Sequence, residues 1–311
     1  MRNNLIVFIC ITLYLISSIT SVFINKYVLM ENTIDSVLLI FVQHISCLMF
    51  MFFFKDIFFL KKKRNEKNIK EYFFSLYNGI KELWPLIITF NFTLVFGNIC
   101  LKYTNISFYQ LARSMTLPFN FFFSYFFFKQ IKFNLLMIIS CIIVSIGFLI
   151  FSLDVVNTNY NSVLYGTIVS IIQAVHLNLT KEKLIIYKDK MVMLYYNLIY
   201  SSIILFIYLF ITRDILVLVH LDKRLTFYLI LSCISSIFVT FSSFLCIHYT
   251  DNVVFNMFGN VKSTVQTFMS KYYNSETFNT HTMIGIILTT LGSCLYTCSS
   301  EYSKKRKIKS K

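Results

Sequence analysis

Apolar runs of about 16–24 residues recur from one end of the chain to the other, separated by short polar stretches. A helix needs about 20 such residues to cross the hydrocarbon core of a bilayer. The runs predict ten helices, at about 4–24, 34–54, 86–101, 107–128, 133–152, 163–180, 191–211, 225–248, 253–270 and 281–299. A polar connector, FSLDVVNTNYN at Phe151–Asn161, divides them five and five. An odd number of spans per half makes the two halves enter the membrane from opposite sides, so any repeat is inverted. The expected fold is an all-α membrane protein of ten transmembrane helices built as two inverted five-helix repeats. Its parts are a first half over 1–152, a luminal connector over 153–162, a second half over 163–303 and a basic cytosolic tail over 304–311. Inverted repeats place a solute site at their interface near the midplane.

Composition agrees with this picture. The chain is 57% hydrophobic and 14% charged, whereas a soluble domain carries about a quarter charged residues. The formal charge of +15 would raise the question of nucleic acid, but its distribution answers it. With the N-terminus in the cytosol, 21 Lys and Arg fall on the cytosolic side: Arg2 and those in 55–81, 129–132, 181–190 and 304–311. Only Lys26, Lys102, Arg213, Lys223, Arg224 and Lys271 fall on the other. This is the positive-inside pattern, with both termini cytosolic, and no nucleic-acid partner is expected. The first span lacks a small-residue cleavage site and runs on into Phe23–Lys26, so it reads as a helix and not a removable leader. Lys61–Lys70 (KKKRNEKNIK) reads as a solvated loop. The eight cysteines all lie within spans, without metal-site company or a disulfide framework.

Two cations break the apolar pattern. Arg113 lies within Phe108–Phe128 and Lys262 within Val253–Ser270, while all fourteen Asp and Glu fall in loops or at segment edges. A cation near the bilayer midplane costs roughly 2.5–3.5 kcal/mol even on a lenient scale. With no carboxylate to neutralise it, the expected partner is an anion that comes and goes, which points to transport of anionic solutes. The two spans are counterparts in the proposed repeat, and their ends align, Tyr125–Gln130 with Lys271–Glu276. Pro118 and Gly259 are expected to loosen their helices and free backbone groups towards a cavity. His44, His176 and His248 have no intramembrane carboxylate for a proton relay and read as packing or polarity residues.

At this point the chain resembles the nucleotide-sugar transporters of the drug/metabolite transporter superfamily, in particular their GDP-fucose branch. Ser21–Leu29 (SVFINKYVL) is similar to that branch's VFLNKYLL. Asn98–Gln130 (NICLKYTNISFYQLARSMTLPFNFFFSYFFFKQ) resembles NLCLKYVxVxFYxxxRSLTxxFNxxxSYxxLKQ over more than thirty positions. Gly259–Asn260–Val261–Lys262 is similar to the branch's G-x-x-K, and Tyr195–Tyr196–Asn197 to an aromatic-Tyr-Asn-Asn motif. Leu198 replaces the second Asn of that motif, and the spacing from Gly259 to Lys262 is one residue shorter than in GDP-mannose carriers. Ser263 follows Lys262 where phosphosugar translocators have Arg, which disfavours a bare phosphosugar.

The resemblance implies exchange of cytosolic GDP-fucose for luminal GMP by alternating access, with no catalysis and no cofactor. Its alternatives are another nucleotide sugar, such as GDP-mannose or a UDP-sugar, and a phosphosugar or organic-anion exchanger. Carried to this chain, Lys262 neutralises the diphosphate or holds the sugar end, with Gly259, Asn260 and Ser263 around it. Arg113 grips phosphate oxygens bidentately. Tyr195, Tyr196 and Asn197 recognise the base, and Tyr109 and Gln110 add polar contacts. Expected partners are the nucleotide sugar, the nucleoside monophosphate and the bilayer, with a homodimer left open. The location implied is the Golgi or endoplasmic reticulum, and the tail KKRKIKSK at Lys304–Lys311 resembles a dilysine retrieval signal. A membrane-embedded transferase would need a constellation of His or carboxylates at a membrane face. Asp154, Asp214 and Asp222 stand apart and unaccompanied.

Overall fold

The computed structural model describes residues 2–31, 33–54, 69–128, 134–156, 160–187, 190–249, 252–273 and 279–309. Within them the chain is helical, with no strand. The helices are α1 (Arg2–Met30), α2 (Ser36–Phe53), α3 (Ile69–Tyr103), α4 (Ile106–Ser114), α5 (Thr116–Phe126), α6 (Leu135–Val156), α7 (Tyr160–Tyr187), α8 (Lys190–Thr212), α9 (Lys223–Tyr249), α10 (Asn252–Tyr273) and α11 (Thr280–Lys309). A short 3-10 turn, Asp214–Val219, joins α8 to α9. Eight of the helices, α1, α2, α3, α6, α7, α8, α9 and α11, contain a stretch long and apolar enough to cross a membrane.

The two expected spans outside that set are the two that carry the cations. The fourth is not one helix but two, interrupted at Met115. Pro118 has no N–H to offer the Ser114 carbonyl, so the α-helical ladder stops there and the Met115 N–H turns back to Ala112 instead, at 3.0 Å. The pieces, 9 and 11 residues long, are each far too short to span alone. The ninth span is a continuous helix, α10. Gly259 does not break it, contrary to expectation, because a lone glycine costs only about 1 kcal/mol and the hydrogen-bond ladder survives it.

Boundaries also move. The span expected at 86–101 belongs to a 35-residue helix that begins at Ile69 and passes through Pro85, so Glu82 is helical and exposed, not in a loop. Of the expected connector at 153–162, both flanks are helical, since α6 runs to Val156 and α7 starts at Tyr160, and 157–159 lie outside the described residues. The basic tail continues α11 as helix to Lys309. Most of the expected loop at Lys61–Lys70 lies outside the described residues, as do the side chains of the tail.

Close packing holds the bundle together. The most extensive interface is α6 against α11, and it is made by glycines. A Cβ at Gly285 would come 2.7 Å from the Phe151 Cβ, and one at Gly292 2.7 Å from a Val144 methyl. Small residues let backbones approach where lipid offers no hydrophobic drive to associate. α1 lies along α9 and α3 along α7, while α2 and α8 pack on each other. The largest apolar cluster closes one end of the bundle, gathering Val28 and Leu29 of α1, Leu38 of α2, Leu101 of α3, Leu209 of α8 and Leu229 of α9.

Candidate functional site

Helical spacing puts Gly259, Lys262, Ser263 and Gln266 on one face of α10, at i, i+3, i+4 and i+7. That face turns to α1. The Lys262 Nζ donates to the Ser18 Oγ at 2.9 Å and lies 5.6 Å from the centroid of the Tyr14 ring. Tyr14 and Ser18 are themselves one turn apart on α1. Gln266, fully buried, donates from Nε2 to the Ser18 carbonyl at 3.1 Å, so one serine receives both residues. The Gln266 Oε1 has no hydrogen-bond partner. A Cβ at Gly259 would meet nothing within 4 Å, so this glycine borders open space and is not there for helix packing.

Arg113 lies in the last turn of α4, beside the break. Its Nε donates to the Gln173 Oε1 on α7 at 3.3 Å, and one Nη to the Tyr109 hydroxyl, one turn back, at 3.4 Å. The guanidinium sits 5.5 Å from the Tyr109 ring centroid. The helix that presents it is held hard against α7. Gly166 is so close that a Cβ there would fall 2.7 Å from the Ala112 Cβ, and the Ser170 Oγ donates to the Ala112 carbonyl at 2.5 Å. That bond is a second one to the Ala112 carbonyl, which also accepts from the Met115 N–H, and it pins the end of α4 to α7.

The helices that carry the two cations pack on each other, and the Ser107 Oγ donates to the Thr267 carbonyl at 3.2 Å. Neither cation has a carboxylate partner among the described residues. Their recorded bonds occupy two of the five guanidinium N–H groups and one of the three ammonium protons. The remaining donors, carried on two like charges that repel each other, suit an anion.

Other expected site residues lie around or away from this pair. Gln110 is buried beside Arg113 with its Nε2 unpartnered. Asn260 turns from Lys262 to α11, donating to the Thr297 Oγ1 at 3.4 Å, and the Ser263 Oγ bonds back to the Asn260 carbonyl at 2.8 Å. The α8 residues sit in packing clusters. Tyr195 lies with Cys47, Met51, Leu198 and Phe90, and Tyr196 with Leu83, Leu86 and Ile87, its ring stacked on Tyr200 at 6.1 Å. Asn197 is buried with its Oδ1 unpartnered. It stands one turn before Ser201, whose Oγ bonds the His44 Nδ1 at 3.0 Å and the Asn91 Oδ1 at 2.5 Å.

Sequence reasoning missed Tyr14, Ser18, Gln173 and Gln266. Gln266 was findable, one turn after Lys262 on the same face. Ser18 and Gln173 come from distant helices, and no local pattern marks them. Among the described residues no group of three or more His, Cys, Asp or Glu could hold a metal ion.

No family model matches the chain. Curated GDP-fucose transporters are 22–28% identical to it over most of its length. GDP-fucose transporter 1 of Dictyostelium discoideum is 25% identical over 304 residues, covering 95% of this chain and 81% of the relative. "GDP-fucose transporter, Golgi" of Drosophila melanogaster is 22% identical over 309 residues, covering 94% and 89%. UDP-xylose transporter 3 of Arabidopsis thaliana is 24% identical over 218 residues, covering 67% and 60%. These similarities support a nucleotide-sugar transporter family and point to a membrane transporter, not an enzyme.

Proposed function

We propose that the chain is a nucleotide-sugar transporter of the Golgi or endoplasmic reticulum membrane that exchanges cytosolic GDP-fucose for luminal GMP. The observation that carries this reading is the pair Arg113 and Lys262: two cations on adjoining helices, without a carboxylate partner among the described residues, on the two helices least suited to be passive spans. The diphosphate of a nucleotide sugar supplies the missing negative charge, and the Arg113 fork matches two of its oxygens. Lys262, a point charge on a flexible stem, suits a ligand that must also leave. The relatives' printed names bring GDP-fucose to this site, and the Drosophila relative's name brings the Golgi.

Ten spans in two inverted halves fit the packing. Pair α1 with α7, α2 with α8, α3 with α9, the broken α4–α5 with α10, and α6 with α11. Each main interface then has its counterpart: α1 on α9 answers α7 on α3, α2 on α9 answers α8 on α3, and α10 on α1 answers α4 and α5 on α7. The pairs α2–α8, α4–α10 and α6–α11 are their own counterparts. Such halves, over 1–152 and 163–303, rock about a site between them. Both termini lie in the cytosol on the charge distribution. No partner beyond the two solutes and the bilayer is required.

A second reading is another nucleotide sugar. The Arabidopsis relative is named for UDP-xylose, and Leu198 stands where the GDP-fucose branch has a second Asn. Uptake of labelled GDP-fucose into GMP-loaded proteoliposomes tests the proposal, with Lys262→Ala alongside. Uptake that depends on GMP, ignores GDP-mannose and UDP-xylose as competitors, and vanishes in the variant supports GDP-fucose. Robust exchange of a different nucleotide sugar keeps the class and removes the substrate. Movement of a small phosphate ester alone removes the class.

A further inference from the structure

The NKY segment of α1, Asn25–Lys26–Tyr27, plays no part in the site described above, yet it is the most heavily cross-linked stretch of that helix. The Asn25 Oδ1 accepts from the Gln43 Nε2 of α2 at 3.0 Å and from the Ser232 Oγ of α9 at 2.7 Å. The Lys26 Nζ donates to three carbonyls at the end of α3: Leu101 at 2.8 Å, Lys102 at 3.0 Å and Thr104 at 2.8 Å. The Tyr27 hydroxyl accepts from the Arg224 guanidinium of α9, which also lies 5.6 Å from the Tyr27 ring centroid. Consecutive residues project about 100° apart around a helix, so three in a row reach three neighbours at once.

All these partners lie at one end of the bundle, where α1, α3 and α8 finish and α2 and α9 begin, beneath the largest apolar cluster. At the opposite end Cys47, Met51, Leu194, Ile237, Thr240 and Phe241 of α2, α8 and α9 line only a small apolar pocket. The polar ties of α1 gather at the first end.

We propose that Asn25–Lys26–Tyr27 is the lock that holds the sealed end of the carrier closed, and that it breaks each time the Arg113–Lys262 site opens to that side. Under the expected topology that side is the lumen. The inference rests on the transport reading. Lys26 is the principal element. Its ammonium places a positive charge on the negative end of the α3 dipole and satisfies carbonyls that the helix leaves orphaned. The next residue, Asn105, caps the start of α4, the helix whose last turn carries Arg113, so the lock grips the joint from which that cation hangs. Polar contacts of this kind are directional and exchange readily with water. The glycine-packed α6–α11 interface has no such substitute and serves as a fixed strut.

Cys100 reports the lock. It is fully buried in the last turn of α3, with its Sγ 3.8 Å from the Thr104 Oγ1. Cys141, buried against Met137 and Tyr296 beside the strut, is the control. The full chain in permeabilised proteoliposomes is exposed to a charged methanethiosulfonate reagent, and labelling is read at each cysteine by peptide mass spectrometry. Lys26→Met is expected to speed labelling of Cys100 about tenfold and to leave Cys141 unchanged, as a shift of population to the open state predicts. Lys26→Arg, which keeps donors for the carbonyls, is expected to restore slow labelling. Tyr27→Phe, a milder change that loses only the Arg224 bond, is expected to give a smaller acceleration and covers the case where Lys26→Met fails to fold. Equal labelling of Cys100 in the wild type and the folded variants overturns the proposal, as does parallel acceleration of Cys100 and Cys141. Selective acceleration of Cys100 upholds the lock even if no nucleotide sugar is transported, so failure of the lock and failure of the transport reading are separate results.

Discussion

Lys262 and Arg113 are not interchangeable cations. Lys262 hangs from α10 with one hydroxyl contact, whereas Arg113 is fixed by Gln173 and Tyr109 before any solute arrives. Removing the Lys262 charge should therefore cost most. Lys262→Ala is expected to lower GDP-fucose uptake by at least about 100-fold, the effect of losing a charge-assisted contact of roughly 3 kcal/mol in a dry site. Arg113→Lys keeps the charge but loses the fork, and about tenfold is expected in the same assay. Ser18→Ala isolates the support given to Lys262, since it removes the Lys262 partner without touching a charge. It is expected to raise the half-saturating solute concentration by a few-fold with the maximal rate nearly kept. Equal loss in both quantities would mean that Ser18 acts on folding and not on the ammonium.

Two elements differ from ordinary membrane helices, and each difference traces to a named residue. Pro118 splits the fourth span, which lets α4 end beside the site and aim Arg113 into it. Pro118→Ala restores the missing N–H and is expected to favour a continuous helix. The chain should then stay as stable or gain stability while transport falls, because Arg113 is carried out of register; thermal unfolding and uptake measured on the same preparation check this. The α6–α11 pair makes the opposite case. Gly285→Leu places carbon where the Phe151 backbone already stands and is expected to destabilise the fold by about 1–3 kcal/mol. A lowered unfolding temperature in detergent, with no rise in the half-saturating concentration of surviving protein, is the expected result.

On the proposed function the whole molecule alternates between two faces with one site, and the electrostatics of that site favour exchange. Two like charges left without an anion at the closed midplane are unfavourable, so the empty carrier should reorient slowly and the loaded one quickly. Liposomes without internal GMP are expected to take up at least about tenfold less GDP-fucose than loaded ones, a barrier difference of about 1.4 kcal/mol or more. Equal uptake into empty liposomes would replace exchange by uniport.

Much of this was legible in the amino-acid order. Runs of apolar residues define helices because backbone polar groups cannot be left open in hydrocarbon, so length and hydropathy alone require helix. Eight such helices were readable on that ground. The cations stood out because a charge in an apolar run is costly and needs a reason. The extent of α3 before Lys81 was not readable: nothing in the pattern of Ile69–Lys81 resembles a membrane span, and the helix there is set by continuation of its apolar neighbour.

The sequence by itself determined which residues are charged, how the apolar runs repeat, and that Arg113 and Lys262 lack partners nearby in the chain. Tertiary structure alone decided that the helices bearing the two pack together, that Ser18 and Gln173 receive them, that Asn260 faces α11, and that Tyr195 and Tyr196 stand in packing clusters. It also decided which carbonyls Lys26 meets. Periodicity fixes the face of a helix on which a residue lies, because that depends on local geometry. Which neighbour meets that face depends on how non-adjacent helices pack, a choice made by glycine contacts and interhelical hydrogen bonds between residues more than a hundred positions apart.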